Sequence, residues 1–211
     1  MLKVNLGCGL SVVENWMNID GSPTVILQKL YGIGCFFRAV VEPRFPSSVV
    51  YGDVTGSLPL ATGSVDILYS SHMLEHLSLD DFRVALCEIY RVLKPGGVSR
   101  AVLPDLEASI ATYLANADTD ADTQFLRETI LGTERRPKGF FGNLRSMLGN
   151  SNHLWMWDYK GIARELSSAG FVQVARAVYH DSTVPDFYEV EHIDRWQGCL
   201  GFESKKTFIK C

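Results

Sequence analysis

The sequence predicts a doubly wound α/β domain, in which a mostly parallel sheet carries helices on its faces. Short apolar runs alternate with turn residues or helical patterns along most of the chain, and this alternation is typical of a parallel sheet. The end of the chain differs, because two extended runs, 171–179 and 200–209, are joined by a polar, acidic loop. Such a pair suits antiparallel strands at the edge of the sheet.

The elements follow one another in strand and helix order. Helical spacing is clearest where apolar residues recur every three or four positions, and a Lys-Pro-Gly-Gly run stops one of these helices. The predicted parallel strands are Leu2–Leu6, Trp16–Ile19, Ser48–Tyr51, Val65–Tyr69 and Val98–Leu103. The predicted helices are Asp80–Leu93, Asp105–Leu114 and Tyr159–Ala169, together with an apolar helix within Thr24–Val41. This last helix is expected to pack on the core or under a lid, with contact to a membrane surface as the alternative.

Composition limits the function classes. A chain of 211 residues, 46% hydrophobic and 21% charged, suits one domain with one core. The net charge of −4 lacks the basic excess needed to bind bulk nucleic acid. Five cysteines without a C-x-x-C pair indicate neither a disulfide framework nor a cysteine zinc site. With no secretion signal or membrane span recognised, we expect a cytoplasmic protein.

A glycine turn follows the first strand directly. In Gly7-Cys8-Gly9, glycines let the chain turn tightly and bring its backbone close to a ligand at the carboxyl end of the sheet. The dinucleotide fingerprint G-x-G-x-x-G is not met, because Val12 stands where its third glycine would be. A bound pyrophosphate, and hence an NAD-linked sugar-nucleotide enzyme, is therefore disfavoured.

Two carboxylates follow the next two strands. Asp20 ends the second strand and is placed to accept hydrogen bonds from a ribose diol. Asp53 ends the third strand, where it could receive an adenine amino group. Either acid alone could be a helix cap or a surface residue. A glycine turn and two acids at three successive strand ends together indicate a nucleoside ligand.

The motifs around these residues and further ones along the chain together cover about half of the sequence. They are Val4-Asn5-Leu6-Gly7-Cys8-Gly9, Asn18-Ile19-Asp20, Gly52-Asp53, Leu58-Pro59-Leu60, Ser64-Val65-Asp66-Ile67-Leu68-Tyr69, His72-Met73-Leu74-Glu75-His76-Leu77, Arg91-Val92-Leu93-Lys94-Pro95-Gly96-Gly97 and Val102-Leu103-Pro104-Asp105-Leu106-Glu107. With these motifs the sequence resembles class I S-adenosylmethionine-dependent methyltransferases, in particular the small group associated with polysaccharide and lipopolysaccharide biosynthesis. The resemblance implies a Rossmann-like, seven-stranded sheet whose last strand is antiparallel, with S-adenosylmethionine as the cofactor.

The resemblance also implies a set of cofactor-binding residues. Their expected roles are Gly7, Cys8 and Gly9 at the methionine part of the cofactor, Asp20 at the ribose, Asp53 and Val54 at the adenine, and Ser70, Ser71 and His72 near the sulfonium. One departure stands out, because only eleven positions separate Gly9 from Asp20. We therefore expect an abbreviated first crossover helix.

A different motif overlaps this set. His72-Met73-Leu74-Glu75-His76 matches the H-x-x-E-H pattern of some zinc peptidases. That motif requires a long helix and a third ligand supplied later in the chain, whereas here it follows a buried strand and no adjacent helix offers an obvious matching Glu. The sequence therefore predicts no metal site and disfavours a zinc hydrolase.

Methyl transfer is an in-line displacement that mainly requires positioning and exclusion of water. If the acceptor is a hydroxyl, His72 is the first candidate for a general base and His153 the second. The aromatic run that begins at His153 contains Trp155 and Trp157, which could form a flat wall against a sugar or ring, although such clusters are more often core.

The acceptor prediction rests on an irregular insertion at about 116–157. Its later part carries Arg135 and Arg136 and glycines without any acidic residue from 135 to 157, as expected of a lid over an anionic acceptor such as a sugar. A solvated basic surface is the competing interpretation. A non-catalytic cofactor-binding partner subunit also remains open, as do the methylated atom and the oligomeric state.

Overall fold

The computed structural model describes residues 1–30, 34, 42–134 and 152–208, which form a seven-stranded sheet of order β3-β2-β1-β4-β5-β7-β6. The first five strands pair in parallel, whereas β7 runs antiparallel to both of its neighbours. This arrangement confirms the predicted fold class and its antiparallel tail. The strands are β1 Lys3–Leu6, β2 Met17–Asp20, β3 Val50–Tyr51, β4 Val65–Ser71, β5 Leu93–Pro104, β6 Phe171–Ala177 and β7 Cys199–Lys206.

Helices flank the sheet close to where the sequence places them. In α2 the side chain of Ser78 caps the first turn by accepting from the Asp81 amide, and Asp80 and Asp81 face the positive end of the helix dipole. The helix ends at Val92, and the chain continues as β5 at Leu93. The helices of the described residues are α1 Pro23–Lys29, α2 Leu79–Val92, α3 Leu106–Ala115, α4 Ala121–Glu128 and α5 Tyr159–Ser168.

The two faces of the sheet are buried by different means. On one face, α2 and α5 cover an apolar core that includes Leu68 and Phe82. On the other, the long connection from β6 to β7 contributes Phe187 and Trp196, which pack against Tyr69 of β4. The described part of this second face therefore relies on a loop with two short 3-10 turns, Pro185–Glu189 and Ile193–Arg195.

A buried arginine fastens this loop to the sheet. Arg100 of β5 is only 1% exposed, and its guanidinium contacts the carboxylates of Glu191, Asp181 and Glu203. It also lies 4.7 Å above the ring of Trp196. A buried charge is tolerated only when it is paired and hydrogen-bonded, and the loop supplies most of those partners.

Three regions depart from the expected elements. Between β1 and β2 the connection 7–16 contains turns and no helix, so the first crossover is shorter still than predicted. The apolar segment 24–41 is described only in part, where α1 ends at Lys29. The predicted insertion contains α4, but residues 135–151 lie outside the described part of the chain. No helix in the described residues combines the length and apolar character needed to cross a membrane.

Candidate active site

The carboxyl ends of β1 and β4 border a small crevice. The opposite side is formed by the segment 190–195 of the loop between β6 and β7. A crevice at this edge is where open α/β sheets bind ligands. Its lining includes Asn5, Gly7, Cys8, Ser11, Tyr69, Ser71 and Arg195.

The glycine turn is built by backbone contacts with β2. The amides of Gly7 and Cys8 both donate to the carbonyl of Ile19, at 2.8 and 3.1 Å. Gly7 and Gly9 adopt φ angles of 67° and 53°, a region that costs a residue with a side chain about 1–2 kcal/mol. A Cβ added at Gly7 would also lie 2.4 Å from Cγ of Met73. Gly7 is thus required by both conformation and space, and Gly9 by conformation alone.

Asp20 is tied to this turn. Its Oδ2 accepts from the Gly9 amide at 2.8 Å, and its Oδ1 accepts from the Ser22 amide at 2.8 Å. A carboxylate has about four lone-pair sites, so each oxygen retains capacity for another donor. Asp20 therefore fixes the glycine turn and can accept a ligand's hydroxyl groups from the same position.

Asp53 and Val54 lie at the neighbouring strand end. The Gly52 amide donates to the carbonyl of Asp20 at 3.2 Å, which brings the two strand ends together. The exposed carboxylate of Asp53 accepts from the amide and the hydroxyl of Thr55, both through Oδ1. Val54 is buried in the core. The two acids predicted to contact the nucleoside therefore stand side by side.

Two asparagines outside the predicted set of site residues, Asn5 and Asn18, hold the helix-free connection 7–16. The amide nitrogen of Asn5 donates to the Ser11 carbonyl at 2.9 Å and to Oδ1 of Asn18 at 3.0 Å. Asn18 in turn donates to the carbonyls of Val13 and Trp16, both at 2.9 Å, and accepts from the Val13 amide. Asparagine is disfavoured in strands, so its presence in β1 and β2 was an available signal.

The two serines of β4 face opposite sides of the sheet. Ser71 lines the crevice beside Tyr69, as strand alternation requires. Ser70 is 1% exposed, and its hydroxyl has no hydrogen-bond partner among the described residues. Of this pair, only Ser71 lines the crevice, and its hydroxyl oxygen is buried like that of Ser70. Both roles remain predictions.

His72 follows β4 in a left-handed conformation, with φ of 51°. Its Nε2 lies 2.9 Å from the carbonyl of Arg195 and 3.8 Å from Sγ of Cys199. Since a carbonyl can only accept, Nε2 carries a proton, and Nδ1 faces Glu75 at 3.4 Å. Burial lowers the pKa of His72, but contacts with Cys199, Glu75 and the Arg195 carbonyl outweigh it and raise that pKa to about 10.

His153 lies on the other side of Glu75. It is 8% exposed, and its Nε2 is 3.9 Å from Oε1 of Glu75. Burial and the nearby His76 lower the pKa of His153, although Glu75 opposes them. The two histidines predicted as candidate bases thus share one buried carboxylate, which links them through side-chain contacts.

The two tryptophans predicted to contact the acceptor differ in their exposure to solvent. Trp157 is 2% exposed and packs against Phe82 at a ring distance of 4.4 Å, so it belongs to the core. Trp155 is 41% exposed and lies 6.0 Å from Trp157, which leaves its ring accessible from the surface. Arg135 and Arg136 lie outside the described residues.

Solved structures share this fold at low sequence identity. A methyltransferase from Thermotoga maritima matches 98% of this chain and 82% of its own, at 15% identity and a TM-score of 0.52. A carbon methyltransferase matches all of this chain and 48% of its own, at 14% identity and a TM-score of 0.53. These likenesses establish the fold: a doubly wound sheet of the kind found in methyltransferases.

Sequence comparison is more specific about the domain. Residues 4–100 match the model of a methyltransferase domain family, and this stretch contains the glycine turn, Asp20, Asp53 and His72. An uncharacterized protein of Saccharomyces cerevisiae is 28% identical over 64% of this chain, which spans only 15% of that protein's length. This match confirms a methyltransferase domain within residues 4–100, and S-adenosylmethionine is the methyl donor that such a domain uses.

Proposed function

We propose that this chain transfers a methyl group from S-adenosylmethionine to a small-molecule acceptor, and that the crevice at the ends of β1 and β4 binds the cofactor. The observation that carries the proposal is the bond between the Gly9 amide and Asp20. It joins the turn predicted to hold the methionine part to the acid predicted to hold the ribose. The two predicted contacts therefore form one preorganised unit.

The remaining cofactor contacts follow from position. Asp53 and Val54 stand next to Asp20 at the adenine end, and Ser71 lines the crevice near the glycine turn. Cys8 is buried within the turn, and burial raises the pKa of its thiol to about 12. A neutral Cys8 acts here through its backbone and its apolar packing, and it is no competing nucleophile for the methyl group.

The proposed acceptor is an anionic small molecule, with a phosphate-linked or carboxylated saccharide as the leading candidate. Support comes from the basic, acid-free stretch that contains Arg135 and Arg136, because guanidinium groups bind carboxylates and phosphates through paired hydrogen bonds. The accessible ring of Trp155 offers a flat apolar surface against which a sugar ring can pack. For a hydroxyl acceptor, His72 and His153 are the predicted bases, and of the two His153 suits the role better, because its pKa is lowered whereas the raised pKa of His72 keeps that ring protonated near neutral pH.

Calorimetry and thermal unfolding test the cofactor part of this proposal. S-Adenosylmethionine or S-adenosylhomocysteine at about a hundred times its dissociation constant should stabilise the protein by ~2.7 kcal/mol, which corresponds to roughly 5–11 °C in Tm for a chain of this size. NAD is the control and should produce no shift. Stabilisation by NAD without any by S-adenosylmethionine would refute the proposed cofactor.

Turnover separates an enzyme from a binding subunit. Methyl transfer is followed as formation of S-adenosylhomocysteine with a pool of anionic and neutral saccharides as acceptors. We expect product only in the presence of an acceptor from the anionic pool. Tight cofactor binding without transfer to any acceptor would instead favour the non-catalytic partner subunit.

A further inference from the structure

A fully buried carboxylate follows β4. The 3-10 turn Leu74–His76 places Glu75 at 0% exposure, and neither of its oxygens accepts a well-directed hydrogen bond within the described residues. Its nearest cationic neighbour is Nδ1 of His72, at 3.4 Å. Burying an ionised carboxylate is expensive unless it is hydrogen-bonded, paired or bound to a metal. His72 thus supplies one positive charge beside Glu75, and a metal ion would satisfy the carboxylate oxygens that no well-directed hydrogen bond reaches.

Two imidazoles converge on the same carboxylate. One ligand atom each from Glu75, His76 and His153 lies within 4.8 Å of the others, and the rings of His76 and His153 meet edge to face at 5.0 Å. The nitrogen of His153 that faces this carboxylate is Nε2, 3.9 Å from Oε1 of Glu75. Two nitrogen donors and one carboxylate oxygen form a set that binds Zn²⁺ in sites with an open fourth position.

The backbone keeps these groups together across 77 positions of sequence. The amides of Leu154 and Trp155 both donate to the carbonyl of Glu75, at 2.8 and 3.2 Å. Nδ1 of His76 lies 3.0 Å from the carbonyl of Asn152, so this nitrogen carries the proton and a lone pair falls to Nε2 of the neutral ring. Metal-bound histidines are commonly oriented in this way by a carbonyl.

We propose that Glu75, His76 and His153 form a binding site for a divalent transition-metal ion, Zn²⁺ in the first place. The site differs from the zinc-peptidase pattern in its ligands, because His72 is engaged by the Arg195 carbonyl and the third ligand is His153. Ligand atoms around tetrahedral zinc lie about 3.4 Å apart, and His153 Nε2 is 3.9 Å from Glu75 Oε1. A contraction of about half an ångström between these atoms would complete this edge of the site.

The bound ion would cross-link two parts of the chain. His76 belongs to the turn after β4, whereas His153 leads into the segment that carries Trp155. The metal would therefore stabilise the approach of residues 152–155 to the carboxyl end of β4. A ligand that binds the folded protein but not the unfolded chain raises the free energy of unfolding. Zinc bound at this site would therefore stabilise the folded protein.

Zinc binding by the full chain tests the proposal, independently of the cofactor because no S-adenosylmethionine is present. The protein is stripped with EDTA, kept reduced, and titrated with Zn²⁺ in competition with a chromophoric chelator. We expect one high-affinity equivalent, a higher Tm that EDTA reverses, and similar binding of Co²⁺. Mg²⁺ is the control and should not bind, because it prefers six oxygen ligands.

Variants locate the ion. Glu75→Gln, His76→Gln and His153→Gln should each weaken zinc binding by at least about tenfold and abolish the zinc-dependent rise in Tm. His180→Gln, an exposed histidine of the loop between β6 and β7, is the matched control and should bind as the parent does. Circular dichroism verifies folding, and His76→Gln, whose side chain is only partly buried, serves if the buried substitutions unfold the protein.

Cysteine provides the competing assignment, because Cys199 Sγ lies 3.8 Å from His72 Nε2. Loss of zinc in Cys199→Ser with retention in the three cluster variants would move the metal to that pair and overturn the proposal. Absence of stoichiometric zinc binding by the parent chain would overturn it as well. Loss in the cluster variants with retention in Cys199→Ser is the supporting result.

Discussion

Asp20 at the end of β2 accepts a hydrogen bond from the backbone amide of Gly9 at 2.8 Å, and its second oxygen accepts from the amide of Ser22. One carboxylate thus holds the glycine turn after β1 and the start of the segment before α1. Because both contacts are to backbone N–H groups, they require an acceptor at each oxygen. This requirement makes Asp20 sensitive even to replacement by its amide.

We expect Asp20→Ala to weaken S-adenosylmethionine binding by at least tenfold, because a hydrogen bond to a charged group contributes roughly 1.5–3 kcal/mol. Asp20→Asn should also weaken it, since its NH₂ group would face a backbone donor. Isothermal calorimetry measures the affinity of both variants. The control is Asp80→Ala in α2, because the side chain of Asp80 is 95% exposed. Parent-like affinity in a folded Asp20→Ala protein would show that the ribose binds elsewhere.

The glycines of the turn should differ in their response to alanine. Gly9→Ala meets open space and costs only the left-handed conformation, roughly 1–2 kcal/mol. Gly63→Ala, with φ of 65° and the same open surroundings, is a matched control away from the crevice. Gly7→Ala adds a clash with Met73 and should cost about 1–3 kcal/mol more. Urea unfolding that ranks Gly7→Ala with the other two would contradict this packing.

The connection 7–16 should depend on Asn18. Its side chain makes four hydrogen bonds, with Asn5, twice with Val13, and with Trp16. At about 1 kcal/mol each, Asn18→Ala should lower the free energy of unfolding by roughly 2–4 kcal/mol. Cofactor affinity should fall too, because the same residues position the glycine turn. Asn116→Ala, partly exposed at the end of α3, is the control, and equal losses in the two variants would count against the role of Asn18.

Arg100 supports the loop that forms one side of the crevice. Arg100→Met leaves the buried carboxylate of Glu191 without its cation, and breaking a buried pair in this way costs about 3–5 kcal/mol. The double variant Arg100→Met with Glu191→Gln should recover part of that loss. Arg127→Met removes an exposed pair with Glu134 and should cost at most about 1 kcal/mol. Additive losses in the double variant would refute the pairing.

The fold and the cofactor end of the site could be predicted from the sequence, because the residue patterns that indicate them are local. Apolar runs, together with Gly7, Asp20 and Asp53 at or just after strand ends, define the sheet edge before any contact is known. The missing crossover helix was only partly predicted. Its replacement depends on hydrogen bonds from Asn5 and Asn18, which an apolar-periodicity argument does not register.

The polar clusters could not be predicted from the sequence, because their members lie far apart along the chain. Arg100 and Glu191 are 91 positions apart, and Glu75 and His153 belong to segments joined only through tertiary contacts. In the sequence, the histidine motif has no matching third ligand on an adjacent helix, which is where the zinc-peptidase pattern places it. In the structure, His153 lies beside Glu75 because the amides of Leu154 and Trp155 donate to the Glu75 carbonyl. No local sequence pattern encodes such a pairing.

The acceptor prediction concerns Arg135 and Arg136, which we expect to recognise an anionic group. A double change to Gln removes two charges from a stretch without acidic residues while keeping polar side chains that can donate hydrogen bonds. The Michaelis constant for an anionic acceptor should rise, and its dependence on salt should weaken, since fewer charges remain to be screened. Cofactor affinity should stay at the parent value, because the predicted cofactor contacts lie at Gly7–Gly9, Asp20 and Asp53. Steady-state kinetics at two ionic strengths measure both effects, with Arg127→Gln, an exposed arginine of α4, as the matched control. Unchanged acceptor kinetics and salt response in the double variant, or a preferred acceptor that is neutral, would identify the basic stretch as ordinary solvated surface.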